Sequence, residues 1–368
     1  MRLCYIANPN SIHTRRGLRY FVERGHAVHL IALRTPQQPV PDGVVLYDLA
    51  AQINVRKLRY LPWVRRVRQT VRRVRPDVLH AHQVANAGWL GAAAGYHPFV
   101  VTAWGSDLLV GPRRFWAQRQ LARWVLRRAD YVTCVSQSLG EAARALGVAP
   151  SRLEVAPWGV DSDIYQPPVD RTALRAELGF GAEPLVLSLR AMRPLYNPLD
   201  IARSIPLVLD QVPTAGFLIR TYSCDPAVLA EFQTIIEQHH ATHAVRYVAD
   251  LGDEQAIADH YRMADVAVSV PSSDGTPSSV LEALACGVVP VVSDVPSLHE
   301  WIEHEQQGLF VPVGDVTAIS AAIVRLLKDE GLRKALSANA VRLVRQRADS
   351  RVWMLHMEEI YQRLTGLA

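Results

Sequence analysis

Cysteines are few in this chain, and none of the four lies near another. Cys4, Cys134, Cys224 and Cys286 form no C-x-x-C pair, which argues against a zinc knuckle or a disulfide framework and predicts buried, reduced thiols. No apolar run reaches the roughly 18 residues of a spanning segment. The opening MRLCYIANPN turns polar too early for the apolar region of a signal peptide, so the expected location is the cytoplasm. Two nucleotide motifs are also missing. No G-x-G-x-x-G follows the first apolar run and no G-x-x-x-x-G-K-[ST] occurs, so dinucleotide and P-loop readings lose their main support. No low-complexity run or short repeat interrupts the chain.

At 368 residues the chain should form about two domains, each long enough to bury a full core. Its 49% apolar and 20% charged residues are ordinary for a soluble globular protein. The charge is unevenly placed. Residues 1–165 carry 23 Lys and Arg against 10 Asp and Glu, whereas the remainder carries 17 against 25. A basic N-terminal half suggests an anionic partner there, either a membrane surface, nucleic acid or an acidic substrate.

Apolar runs alternate with helical patterns along the chain. Strands are expected at Leu3–Ala7, His26–Leu33, Val44–Leu49, Val78–Ala81, Phe99–Thr102, Tyr131–Val135 and Leu153–Pro157, and a helix at Arg16–Arg24 closed by Gly25. Pro167-Pro168 marks a linker. The alternation then restarts, with strands at Leu185–Leu189, Ala215–Arg220, Val245–Val248, Val266–Val270 and Val288–Val292 and a last amphipathic helix over Arg351–Leu364. Two such series predict an α/β protein of two Rossmann-like, doubly wound parallel-sheet domains facing a central cleft. The expected division is residues 1–166, 167–346 and a C-terminal helix, 347–368, crossing back to the first domain.

Two basic stretches interrupt the first half, VRKLRYLPWVRRVRQTVRRVRPD and PRRFWAQRQLARWVLRRAD. Val64, Val67, Val71 and Val74 recur at helical spacing among the arginines of the first. Either these are solvated faces or they dock on anionic lipid, with Trp63, Phe115, Trp116 and Trp124 as interfacial anchors. Arginines on helices without a recognised reader module do not predict nucleic-acid binding. Asp161-Ser162-Asp163 has the form of a metal-binding acid pair, but acids between domains are commonly turn residues, and no metal site is expected.

The most informative stretch is Val266–Val292, VAVSVPSSDGTPSSVLEALACGVVPVV. An apolar, largely β-branched strand gives way to a loop of prolines, serines and Gly275, and a helix then starts near Val280. Such a loop facing a helix N-terminus can hold a phosphate. Two acids bracket it, Asp274 and Glu282. Glu282 can close a capping box with Ser279, or accept the hydroxyls of a nucleotide ribose. Both readings stand at this point.

Together these motifs resemble the retaining glycosyltransferases of the GT-B fold, family 4, also called glycosyl transferases group 1. The resemblance spans most of the chain: Gly25-His26-Ala27-Val28, Gly159-Val160-Asp161, Arg190, Pro271-Ser272 and, most specifically, Glu282-Ala283-Leu284-Ala285-Cys286-Gly287. The family's E-x7-E pair reads Asp274-x7-Glu282 here. The resemblance implies transfer of a sugar from a nucleotide-diphosphate donor, UDP-linked before GDP-linked, to a hydroxyl with retention of configuration and without a metal or other cofactor. Asp274 and Gly275 would face the transferred sugar, and Glu282 the ribose. Thr276, Pro277, Ser278, Ser279 and Val280 would line the diphosphate, Arg190 and Arg193 would take the departing charge, and Leu251 would lie near the base. Asn10, Ser11, His13, His80, His82, Trp104 and Asp107 would form the acceptor side. The acceptor would be a sugar, a lipid-linked sugar or a small molecule of cell-envelope synthesis, handled in the cytoplasm or at the inner membrane face.

Four positions depart from the family pattern. Asp274 is one methylene shorter than the family's Glu; Leu195-Tyr196-Asn197 stands where its Lys falls; Asn8-Pro9-Asn10-Ser11 replaces paired glycines; Trp104 replaces a His. Trp cannot accept a proton, which leaves His80, His82 and His13 either to handle it or to serve as structural hydrogen-bond partners. Two other functions share these features: a weakly catalytic nucleotide-sugar-binding partner protein, and a sugar-nucleotide epimerase.

Overall fold

The computed structural model describes residues 1–50, 60–249, 253–274 and 277–367. It divides into two compact units, Met1–Trp158 with Arg351–Ala368, and Gly159–Ser350. These bounds differ from the expected 166/167 and 346/347. The reason is a short backbone bridge: Val160 N–H donates to Ala348 O and Ser350 N–H to Val160 O at 2.6 and 2.9 Å. This pairing draws residues 159–166 into the second unit. Gly159 is required there, since at φ +65° a Cβ would stand 2.7 Å from Ala348 O and from Ser350 N.

The first unit holds seven parallel strands, β1 (Arg2–Ala7), β2 (Ala27–Ala32), β3 (Val44–Asp48), β4 (Val78–His82), β5 (Phe99–Ala103), β6 (Tyr131–Cys134) and β7 (Leu153–Val155), in the order β3-β2-β1-β4-β5-β6-β7. The second holds six, β8 (Leu185–Ser188), β9 (Gly216–Arg220), β10 (Val245–Val248), β11 (Val266–Ser269), β12 (Val289–Ser293) and β13 (Leu309–Val311), in the order β10-β9-β8-β11-β12-β13. Helices cover such sheets on both faces, which is why β4, β5, β8 and β11 are buried at every residue rather than alternating. Each fully buried Val or Leu in them contributes about 1.5–3 kcal/mol.

The last helix, Ser350–Thr365, completes the first core. Trp353, Met354, Met357, Ile360 and Tyr361 are buried in it, and Glu358 holds His26 at 2.7 Å and Arg24 at 3.1 Å. The helix Tyr60–Val74 buries Val67, Val71 and Val74 as its stripe predicts. Trp63, expected as an interfacial anchor, is instead a core residue only 3% exposed. Trp124 is half-buried beneath Arg128. Phe115 and Trp116 are exposed, at 50% and 76%.

Chain order reverses between β1 and β4 in the first sheet and between β8 and β11 in the second. At such a reversal the two flanking connections leave in opposite directions and open a crevice beyond the carboxyl ends of the strands, where doubly wound folds bind their ligands.

Candidate active site

The second reversal gathers the informative motifs. Beyond β8 the chain runs through Leu189 to Arg190, and beyond β11 through Pro271 to Asp274. The Arg190 guanidinium meets Asp274 Oδ2 at 3.0 Å, donates to Ser279 Oγ at 2.8 Å and lies over the Tyr196 ring at 4.2 Å. Burial works against its charge, but Asp274 first, then Tyr196 and Tyr261, outweigh this and raise its pKa. Arg190 is therefore a fixed cation held in place on three sides.

Leu195-Tyr196-Asn197 does more than fill the place of a lysine. Asn197, left-handed at φ 47°, donates through Nδ2 to Val270 O and Ser272 Oγ, both at 2.9 Å, while Ser272 N–H donates to Leu195 O at 2.9 Å. These bonds lace the loops after β8 and β11 together, and Tyr196 gives Arg190 its aromatic floor. Ser293 Oγ adds a bond to Pro271 O at 2.6 Å.

The helix that follows spans Ser278–Ala285 with Pro277 at its cap, two residues earlier than Val280. That start alters three expectations. Ser279 lies inside the first turn and its hydroxyl is taken by Arg190, so Ser279 does not cap the helix and the capping box with Glu282 is not formed. Val280 N–H is spent on Pro277 O at 2.8 Å and is not a spare donor for phosphate. Glu282 falls in the second turn, 7% exposed, close enough to the buried Tyr261 to reinforce what burial does to that phenol, pushing its pKa well above the usual range. Gly287 ends the helix at φ 74°: its N–H reaches Leu284 O at 3.1 Å and that of Val288 reaches Ala283 O at 2.9 Å. This paired closure explains why glycine ends the motif. Gly275, Thr276 and Leu251 lie outside the described residues.

Arg193 does not join the cluster. It is exposed, and its guanidinium donates to Ser223 O at 3.0 Å and Ser223 Oγ at 2.8 Å. Arg220, which sequence reasoning placed only as a strand end, does face this region: with Arg190 and Tyr196 it lines a cavity of about 10 Å³. The signal was its position at the carboxyl end of the strand beside β8.

The first reversal brings together the residues expected on the acceptor side. His80 is 2% exposed, and both ring nitrogens are engaged, with Tyr361 OH at 2.5 Å and Thr102 Oγ1 at 2.7 Å. The chain of bonds extends from Thr102 to Thr133 at 2.6 Å and from Tyr361 to Tyr5 at 3.1 Å. Both nitrogens of the ring are thus held inside the core. His82 pairs through Nδ1 with Thr14 Oγ1 at 3.2 Å. Its ring and that of His13 pack into an aromatic box with Trp104 and Trp158, centroids 5.3–5.9 Å apart. Burial lowers the His13 and His82 pKa values to about 3, so both rings are neutral at physiological pH. Asn10 bridges to Thr35 O and Gln37 N–H at 3.0 and 2.8 Å, and Ser11 caps the helix Ile12–Glu23 by its backbone alone. Asp107 accepts the N–H groups of Val84 and Gly105 at 2.8 Å and that of Trp104 at 3.1 Å; burial still raises its pKa. It also edges a cavity of about 570 Å³ walled by Gln83, Asn86, Trp89, Gln118 and Leu121. Those five were not anticipated, although Gln83 follows His82 directly with a positive φ of 80°.

Among the described residues no cluster of His, Cys, Asp and Glu has the arrangement to hold a metal ion. Asp161 serves a turn, accepting the Asp163 N–H at 3.0 Å. Cys4, Cys134 and Cys286 are buried, and burial pushes the Cys4 thiol up to about 12.

Two family models match the chain, "Glycosyl transferase 4-like" over residues 2–136 and "Glycosyl transferases group 1" over residues 170–342. N-acetyl-alpha-D-glucosaminyl L-malate synthase of Bacillus anthracis is 24% identical over 97% of this chain and 95% of its own. A GDP-mannose-dependent alpha-(1-6)-phosphatidylinositol monomannoside mannosyltransferase of Mycolicibacterium smegmatis is 30% identical over 68% and 66%. Among solved structures, sucrose-phosphate synthase from Thermosynechococcus elongatus superposes with a TM-score of 0.85 over 100% of both chains at 18% identity. Anabaena HepE in complex with UDP-glucose gives 0.84 over 99% and 100%, also at 18%. With both models matched in chain order and the two reversed sheets beneath them, the chain belongs to the group 1 glycosyltransferases of the GT-B fold.

Proposed function

We propose that this glycosyltransferase moves a sugar from a nucleoside-diphosphate donor, UDP-linked in preference to GDP-linked, to a hydroxyl acceptor with retention of configuration. The observation that carries this reading is the Arg190 cluster: a buried guanidinium fixed by Asp274, Ser279 and Tyr196 at the sheet reversal and beside a helix N-terminus. Those are the elements an anionic leaving group requires. Each charge-assisted bond from Arg190 to a phosphate oxygen is worth about 1.5–3 kcal/mol. Protein cations rather than a metal would then carry the departing charge. Glu282 is assigned to the ribose and Asp274, through its ion pair with Arg190, to the border between phosphate and transferred sugar. As the glycosidic bond to the donor breaks, a phosphate oxygen takes the acceptor's proton on the same face, and the new bond forms where the old one left. UDP-glucose bound to HepE and the GDP-mannose dependence of the mycobacterial relative support a nucleotide sugar and keep both bases in the test.

The acceptor is assigned to cell-envelope glycolipid or polysaccharide synthesis, with the protein in the cytoplasm and at the inner membrane face. No helix among the described residues is long and apolar enough to cross a membrane. The helix Trp116–Arg128 carries Arg119, Arg123, Arg127 and Arg128 behind exposed Phe115 and Trp116, and each basic residue near an anionic surface adds about 1 kcal/mol within a Debye length of about 8 Å. Vesicle sedimentation should show stronger binding to anionic than to neutral liposomes, and equal binding would remove this part of the reading.

The test of activity incubates the protein with UDP- and GDP-sugars and a panel of hydroxyl acceptors, counts released nucleotide, and reads the product anomer by proton NMR. Acceptor-dependent release with retained configuration is expected, lost in Glu282→Ala. Full activity in that variant would sink the assignment of Glu282. Nucleotide release without an acceptor would favour an epimerase, and binding without turnover a partner protein.

A further inference from the structure

A leaving nucleoside diphosphate presents at least two negative charges, more than the single guanidinium of Arg190 matches. Arg190 is one cation, already matched by Asp274 at 3.0 Å, and Glu282 brings a second carboxyl on the helix Ser278–Ala285. Arg193 stands apart from Arg190, its guanidinium held at Ser223 O and Oγ.

We propose that Arg220 is the second cation of the donor site and binds a diphosphate oxygen beside Arg190. Register gives the first reason. Ser188 of β8 pairs with Ile219 of β9, so Arg220 leaves the sheet at the same level as the segment carrying Arg190. Arg190 and Arg220 share the wall of one cavity, about 10 Å³, the size of a single water, which Tyr196 and the apolar side chains of Met192, Ile219 and Phe232 also line. Two like charges bordering one small cavity repel each other, and an anionic oxygen there would convert that repulsion into attraction on both sides. Both arginines also bear on the Tyr261 hydroxyl, against the influence of Glu282.

The second reason is how Arg220 is held. Its guanidinium lies over the Tyr222 ring at 4.4 Å, as that of Arg190 lies over Tyr196 at 4.2 Å. Ring stacking orients a guanidinium through its face and leaves its in-plane N–H groups available. Among the described residues no acceptor takes the buried Nε of Arg220. A planar, oriented donor set suits bidentate binding of phosphate.

This inference rests on the nucleoside-diphosphate reading above, and the experiment separates the two. Affinities of the full chain for UDP and GDP, and for UMP and GMP as controls lacking the second phosphate, are measured by calorimetry in wild type, Arg220→Gln, Arg220→Lys and Arg203→Gln. Arg203 is an exposed control on the helix Pro198–Leu209. Arg220→Gln should weaken the preferred diphosphate by about tenfold to a hundredfold, the loss of one charge-assisted contact, and the monophosphate by much less. Arg220→Lys should recover part of that loss, a rescue that a purely structural role would not confine to the diphosphate, and Arg203→Gln should match wild type. If wild type binds diphosphates and Arg220→Gln binds them equally well, or loses mono- and diphosphate alike, Arg220 is not the second cation. If wild type binds none of the four nucleotides, the donor reading falls and takes this inference with it.

Discussion

Acid should unfold the first unit by way of its histidines. His13 and His82 are held neutral with pKa values of about 3, and His80, buried between Tyr361 and Thr102, lies well below the usual 6.5. In the unfolded chain each returns to about 6.5. The folded-state values are depressed, so below pH 6.5 the unfolded state binds more protons and stability falls as pH falls, the loss continuing until the folded pKa is reached. Integrating from pH 6.5 to 5.0 gives about 2 kcal/mol per histidine, about 5 kcal/mol for the three. Set against a total stability of about 5–15 kcal/mol, that is enough to bring the unit close to its midpoint. Most carboxylates titrate below this window, and half-buried His29, its pKa also lowered by burial, acts in the same direction. Tryptophan fluorescence during urea unfolding is a suitable assay, since seven of the eight tryptophans belong to the first unit and Trp104 and Trp158 pack on the titrating rings. His82→Asn should reduce the drop between pH 6.5 and 5.0 by about a third. A wild-type stability that is flat across that interval, or a drop unchanged in His82→Asn, would refute the reasoning.

Further outcomes follow for the second unit and for the thiols. Asp265 accepts Arg175 at 2.7 Å, Arg171 at 3.1 Å and the Leu185 N–H at 2.9 Å; Asp265→Ala strands two arginines at the start of β8 and should cost about 3–5 kcal/mol, read as a lowered Tm, and an unchanged Tm would contradict it. Thiol titration of the native protein should label Cys224 first, because Cys4, Cys134 and Cys286 are buried; rapid labelling of all four without denaturant would show that the three are not sequestered.

How much of this was written in the sequence varies with the range of the interaction. Twelve of the thirteen strands are visible as apolar runs, and those covered on both faces, such as β4, β5, β8 and β11, are largely apolar for that reason. β13, three residues hemmed in by Gly308 and Pro312, is not read as a strand. The Glu282–Gly287 motif is legible because helix closure is local, and Arg190 with Asp274 because both end buried strands. The failures involve residues brought together from afar. Nothing in Leu195-Tyr196-Asn197 announces that Tyr196 will floor Arg190 or that Asn197 will tie two loops 73 and 75 residues apart. Ser279 looked like a cap until Arg190 claimed its hydroxyl. Trp63 looked interfacial because its neighbours are arginines, yet its own face of the helix turns inward. Arg220 carried no motif at all; only β9 lying beside β8 gives it meaning.

The bridge of Val160 to Ala348 and Ser350 bears on the order in which the molecule is made. It fastens the two ends of the second unit side by side, and that unit is one uninterrupted stretch, able to close once residue 350 has left the ribosome. The first unit cannot do so. Tyr5, Phe21 and His80 wait for Tyr361, and until the final helix leaves the ribosome the older half of the chain keeps an open seam in its core. During synthesis the half that begins first is therefore the half that finishes last, and truncation within the last 18 residues should injure the N-terminal sheet while sparing the one adjoining it in sequence.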